Sequence, residues 1–161
     1  MDRLTALAAE WDRAKTGTQE YLDAMPAERL GFRPAPEARS FAEQFLHVAA
    51  TQYAFAAAAT GRASPLPAAG PAPDADEGLT GDKDALRRFV LGSYDFAIDG
   101  VRALQTRGDP AALDEEVAFF RLRMPRALLL AKALEHHAHH RGQAAVYFRL
   151  VDLVPPDQRL F

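Results

Sequence analysis

From Asp2 to about Met25 the residues Leu4, Leu7, Trp11, Ala14, Thr18, Tyr21 and Met25 recur at alternating steps of three and four. That spacing is one face of an α-helix held over about six turns. Asp2 is placed to cap this helix and Pro26 to end it. The next segment, 26–39, carries Pro26, Gly31, Pro34 and Pro36, which exclude a long helix; Leu30 and Phe32 are expected to tuck it against the core. A second helix opens at Ser40, followed three residues later by Glu43, the spacing at which each side chain satisfies an orphan amide of the first turn. Phe41, Phe45, Val48, Gln52 and Phe55 follow on one face, and the helix is predicted to end near Thr60 and Gly61. A third runs from about Gly81 to Thr106, with Leu86, Phe89, Val90, Ser93, Ala97, Val101 and Leu104 on its apolar face and Gly108-Asp109-Pro110 as its stop. The fourth is predicted to take Pro125 as its first helical residue and to continue to about Leu150, ahead of Pro155-Pro156.

Two connections interrupt this pattern. Segment 62–80 is rich in Pro, Ala and Gly and poor in large apolar residues, so it reads as a long surface connection that crosses the bundle, a linker more than a substrate lid. In 111–123, Val117, Phe119 and Leu122 fit either a short extended piece or an irregular stretch over one end of the bundle. No alternating pattern of useful length argues for a sheet. The fold expected is therefore all-α, a four-helix bundle with one long crossover connection, built as a single domain over residues 1–161.

Composition narrows the chemistry. The chain has 161 residues, 48% of them hydrophobic and 25% charged, enough for one packed core and a solvated surface. A net charge of -3 gives no global pull toward nucleic acid, and no nucleic-acid partner is expected. There is no cysteine, which excludes disulfides, iron–sulfur clusters, thiolate zinc sites and a thiol nucleophile, and leaves His, Asp and Glu to hold any metal. Neither a signal-like start nor an apolar run near 18 residues is present, so a cytoplasmic protein with no membrane partner is expected.

Four of the five histidines, His136, His137, His139 and His140, lie within five residues of the fourth helix; the fifth, His47, lies in the second. At about 100° per residue His136 and His140 share a face with Leu129, Ala133, Gln143 and Tyr147, His139 lies on its flank, and His137 turns well away. Two imidazoles one turn apart are close enough to grip one ion. A third from a facing helix would complete a set with open positions, and His47 is the one candidate, although spacing alone does not bring it there. The bland alternatives are a hydrogen-bonded or exposed pair and a solitary core histidine. No P-loop, G-x-S-x-G elbow or H-E-x-x-H arrangement offers rival chemistry.

The segment from Leu30 to Pro36 followed by Ser40-Phe-Ala-Glu-Gln-Phe-Leu-His47, the segment His136-His-Ala-His-His140-Arg-Gly-Gln143, and Pro155-Pro156 together resemble the DinB/YfiT-like family of metal-binding four-helix bundles. The first is similar to the family's W/F-x-P…S…E…H entry into its second helix, and the second to its H-x-x-x-H-R-G-Q segment. The resemblance implies that His47, His136 and His140 hold one divalent ion, zinc or nickel first and manganese or iron as alternatives, with waters in the remaining positions. It also implies a homodimer and a small-molecule substrate, in some relatives a low-molecular-weight thiol used for transfer or isomerisation, in others a hydrolysable compound.

Around that set, Gln143 and His139 are the candidates to support the ligands by hydrogen bonds, with a simple inter-helix bond as the alternative for Gln143. Gly142 is expected to permit close helix approach, and Arg141 to form a surface or inter-helix ion pair, with anion binding as the alternative. Tyr53 and Tyr147 read as core aromatics that could reach the site, and Glu43 as cap rather than ligand. Three functions remain open at this level: a metal-dependent enzyme (a thiol-dependent transferase or a hydrolase), a metal-binding stress-response module without turnover, and a bundle whose histidines are structural.

Overall fold

A computed structural model describes residues 2–66, 76–109 and 111–160. Its elements are α1 (Arg3–Ala24), a 3-10 turn (Ala27–Arg29), α2 (Phe41–Thr60), α3 (Glu77–Thr80), α4 (Lys83–Thr106), β1 (Glu116–Phe119), β2 (Leu122–Pro125) and α5 (Arg126–Leu150). The all-α bundle expected from the sequence is present. Asp2 accepts hydrogen bonds from the amides of Leu4 and Thr5, and Ser40 with Glu43 forms the full reciprocal cap of α2. Gly61 closes α2 in the left-handed conformation, φ 72°, which costs glycine nothing. No helix among the described residues is long and apolar enough to cross a membrane.

Side-chain contacts fix the direction of each helix. Lys83 Nζ donates to the carbonyls of Asp23 and Met25, at 2.8 and 2.7 Å, and Gln105 donates to Thr5 at 2.8 Å, so α1 and α4 are antiparallel. Gln44 meets Tyr147 and Arg126 meets the carbonyl of Ala59, so α2 and α5 are antiparallel. Trp11 lies against His137 and Tyr21 against Phe148, which makes α1 and α5 parallel. Tyr53 lies against Gly92 and, about two turns further along both helices, Thr60 lies against Gly100, which makes α2 and α4 parallel. A parallel pair of neighbours requires the chain to travel back the length of a helix, about 30 Å for the 20 residues of α2, and this is the work of the long connection before α4. Residues 67–75 of that connection, within the segment 62–80 read as a surface linker, lie outside the described residues.

Trp11, Leu22, Phe41, Phe45, Leu86, Tyr94, Leu129 and Phe148 are fully buried in the core. Gly100 of α4 lies where the bundle closes on the end of α2. A Cβ there would come within 2.6 Å of Thr60 Cγ2 and 2.9 Å of its Oγ1, and Thr60 cannot swing aside because its hydroxyl donates to the carbonyl of Ala56 at 2.7 Å. Gly100→Ala is therefore expected to lower the unfolding free energy by about 1–3 kcal/mol despite the better helix propensity of Ala, as read from denaturant unfolding.

Three details differ from the sequence reading. Residues 116–125 form an antiparallel hairpin, Glu116 opposite Pro125 and Phe119 opposite Leu122, where the sequence left 111–123 undecided and showed no clear strand. Pro125 closes β2 with ψ 139° and precedes α5 instead of opening it, because the strand pairing holds it extended. The end of the crossover is not irregular up to Thr80: Glu77–Thr80 makes one helical turn capped by Asp76. The hairpin is fastened by Arg126, which is buried and donates to the carbonyls of Ala59 and Ala112 and to the carboxylate of Glu115.

Candidate metal centre

The antiparallel pairing of α2 and α5 brings His47 beside the His136–His140 pair. Ring centroids are 5.1 Å apart for His47 and His136, 4.9 Å for His47 and His140, and 4.5 Å for His136 and His140. One ring nitrogen from each of the three lies within 4.8 Å of those of the other two. The Nε2 atoms of His136 and His140 are 3.1 Å apart. Two nitrogens each about 2.1 Å from a common ion are separated by roughly 3.0–3.4 Å, so the donor set fits a divalent ion.

A hydrogen-bond chain fixes the state of His140. The Tyr147 hydroxyl donates its single proton to the carbonyl of Arg39 at 2.8 Å, so it accepts from Gln44 Nε2 at 3.0 Å. The Gln44 amide is thereby oriented with Oε1 toward His140 Nδ1, 2.7 Å away. An acceptor at that position calls for a proton on Nδ1, which leaves the lone pair on Nε2, on the side that faces His136. The Nδ1 of His136 is buried without a hydrogen-bond partner.

Burial first, and then the neighbouring imidazoles, push His136 and His140 down from 6.5 to about 4. A metal takes the neutral ring, and protons compete for it. Two histidines with ordinary pKa values would together cost about a hundredfold in affinity one unit below 6.5. Here both stay neutral down to about pH 4, so their share of that loss is expected to be absent: zinc competition titrations at pH 7.0 and 5.5 should differ by far less than a hundredfold. A hundredfold drop would mean that the rings titrate normally.

The other residues singled out in the sequence are placed differently. His139 and Gln143 bond to each other at 2.9 Å, Gln143 Nε2 to His139 Nε2; His139 meets His140 only ring edge to ring at 5.1 Å. The hydrogen bond to a triad member comes instead from Gln44. Tyr147 reaches the site through Gln44, whereas Tyr53 is held between Phe89 and Phe96. Glu43 serves the α2 cap and pairs with Arg33. The expectation for Gly142 is overturned: a Cβ there meets nothing within 4 Å, so no helix approaches it closely. Arg141 donates to the Ala14 carbonyl and to Thr18 Oγ1, both at 3.3 Å, and forms no ion pair among the described residues.

The triad opens to solvent on one side. A depression of about 840 Å³ lies between the segment Glu37–Arg39 and α5, with Gln44, His139, His140 and Tyr147 in its wall. On another side Phe55, 6.3 Å from the His136 ring, stacks on Phe119 of the hairpin at 4.4 Å and 19°.

Comparison with known proteins agrees with this architecture. The family model of the DinB superfamily matches residues 10–144. The chain is similar to the uncharacterized protein YrdA of Bacillus subtilis, 36% identical over 70 residues; the match covers 43% of this chain and spans only 42% of that relative's length. Two crystal structures share the fold: a DinB-like protein from Bacillus cereus, TM-score 0.71 and 24% identity over 95% of each chain, and the DinB-like protein YjoA from Bacillus subtilis, TM-score 0.71 and 21% identity over 97% of this chain and 99% of that one.

Proposed function

The chain belongs to the DinB superfamily, and from that membership and the histidine geometry we propose that it is a divalent-metal-dependent enzyme, with His47, His136 and His140 as the protein ligands of zinc or nickel. The observation that carries this reading is the combination of three converging imidazoles with a depression that reaches His140 from solvent. Three protein ligands leave positions for a substrate, which is the pattern of a catalytic site and not of a closed structural one. When bound, such an ion polarises a substrate and lowers the pKa of a water or thiol in its open positions.

The chain's own residues prepare the site for that task. Gln44, held by Tyr147, keeps His140 in one tautomer and one orientation. Burial keeps His136 and His140 neutral and therefore ready to ligate near pH 7. The chain contains no cysteine, so a sulfur nucleophile has to arrive as a small co-substrate. Glu43 is engaged in the cap and with Arg33, which leaves it in the cap role and not as a ligand. A thiol or a water activated at an ion needs no separate base, so it is the family resemblance that favours thiol-dependent transfer over hydrolysis.

The test is to incubate the metal-loaded protein with small bacterial thiols and a chromogenic electrophile, with a chromogenic ester in parallel, and to repeat both with His140→Ala. A thiol-dependent rate that disappears in the variant is the expected result. A rate with the ester alone would move the assignment to hydrolysis. A protein that holds its ion yet turns over nothing across the panel would be a metal-binding module without catalysis.

A further inference from the structure

On the face of α5 away from the triad, a cleft of about 180 Å³ lies between α1, α5 and the C-terminal segment, with Arg13, Gly17, Arg141, Gly142 and Arg159 in its wall. Gly17 and Gly142 sit inside helices, where each costs about 1 kcal/mol relative to Ala. Neither is required by its surroundings: a Cβ at either would meet nothing within 4 Å. Gly17 is buried even so, which means that it faces empty space and not a packed neighbour. The buried Gly17 and the solvent-exposed Gly142, on adjacent helices, thus border the same cavity.

The charges around that cavity are unevenly satisfied. Arg13 is paired with Glu10, and Arg159 with Glu20 at 2.9 Å. Arg141, which is partly buried, donates through Nη1 to two neutral oxygens, both at 3.3 Å, and a further polar contact is the neutral hydroxyl of Tyr94. A guanidinium carries five N–H donors in a planar fork that suits a two-oxygen acceptor. Asp157 also lies in the wall but makes no hydrogen bond to Arg141 among the described residues.

We propose that this cleft binds a small oxyanion, a carboxylate or a monophosphate, with the Arg141 guanidinium as its principal partner and Gly17 and Gly142 as the positions that keep it open. The volume suits a single such group and its water, since a cavity of about 150 Å³ accommodates benzene, and it excludes a nucleotide. The C-terminal segment Asp157–Arg159 forms the outer wall, so occupancy also ties that segment to α1 and α5.

Calorimetric titration of the metal-loaded full chain with inorganic phosphate and, separately, with acetate tests this and identifies which anion is preferred. Saturable binding that weakens with added chloride is expected for at least one of them. Gly142→Met sets a long side chain at the exposed edge of the cleft and should weaken that binding by about tenfold or more while leaving the thermal midpoint unchanged or higher. His140→Ala should bind the anion as the unaltered protein does. No saturable binding of either anion, or equal binding by Gly142→Met, overturns the proposal. So does loss of binding in His140→Ala, which would place the anion at the ion instead.

Discussion

Purified, tag-free protein is expected to carry about one divalent ion per chain, and His47→Ala, His136→Ala and His140→Ala each to lose it. Zinc sites with four protein ligands bind with roughly 10–16 kcal/mol, so one ligand accounts for about 3 kcal/mol, two powers of ten in affinity. His139→Ala is the matched control, because that ring is exposed and its hydrogen bond among the described residues is to Gln143. It should retain the ion. Gln44→Leu should fall between, about ten- to a hundredfold weaker, since it frees the tautomer and tilt of His140 without removing a ligand. Elemental analysis after dialysis gives occupancy, and competition with a chromophoric chelator gives affinity. A control variant that loses metal as readily as His140→Ala would mean that the triad is not the site.

How much of this was readable from the sequence depends on the range of each interaction. The capping box of Ser40 and Glu43 was legible because it closes within one helical turn. The shared face of His136 and His140 was legible for the same reason. His47 was legible only as a candidate, because its place beside the pair depends on the direction and register of α2 against α5, which no local spacing encodes. The hairpin was hidden by its turn. Its two-residue loop, Phe120-Arg121, lacks the Gly or Asn that marks such turns, and Phe120 itself adopts φ 52° with its side chain 90% exposed. Arg126 reads as an ordinary first-turn arginine, yet it is buried, because the carbonyls it satisfies come from the distant Ala59 and from Ala112. Gly142 invited a packing explanation that the structure removes, since the space beside it is a cleft and not a helix.

The other large effect is expected at His137, which helical phase turned away from the metal face and which the structure puts in the core, 1% exposed. Its ring stands edge-on to Trp11 at 5.3 Å and to Tyr94 at 4.9 Å. Neither ring nitrogen has a hydrogen-bond partner. Burial first, and then the charges of Arg141, His136 and His140, hold its pKa well below 6.5. The sign of the consequence follows from linkage. Above pH 6.5 the ring is neutral in the folded and the unfolded chain, and stability is complete. Below it the unfolded chain takes up a proton that the folded chain refuses, so stability falls with acid by about 1.4 kcal/mol per pH unit for this one group. His136 and His140 add to the same trend in the metal-free protein, down to about pH 4, so the effect of His137 has to be read as a difference between variants. His137→Ala leaves a cavity among Trp11 and Tyr94 and should cost roughly 2–4 kcal/mol at any pH. His137→Leu keeps the volume, removes two unpaired polar atoms worth about 1–3 kcal/mol each to desolvate, and removes the proton. It should be more stable than the unaltered protein at pH 7.5, and the margin should widen by about 2 kcal/mol at pH 5.0. Denaturant unfolding of the metal-free proteins at the two pH values measures both numbers. If His137→Leu is the less stable protein at pH 7.5 and the margin does not change with acid, the imidazole nitrogens are satisfied by internal water and the ring is a structural hub of the core.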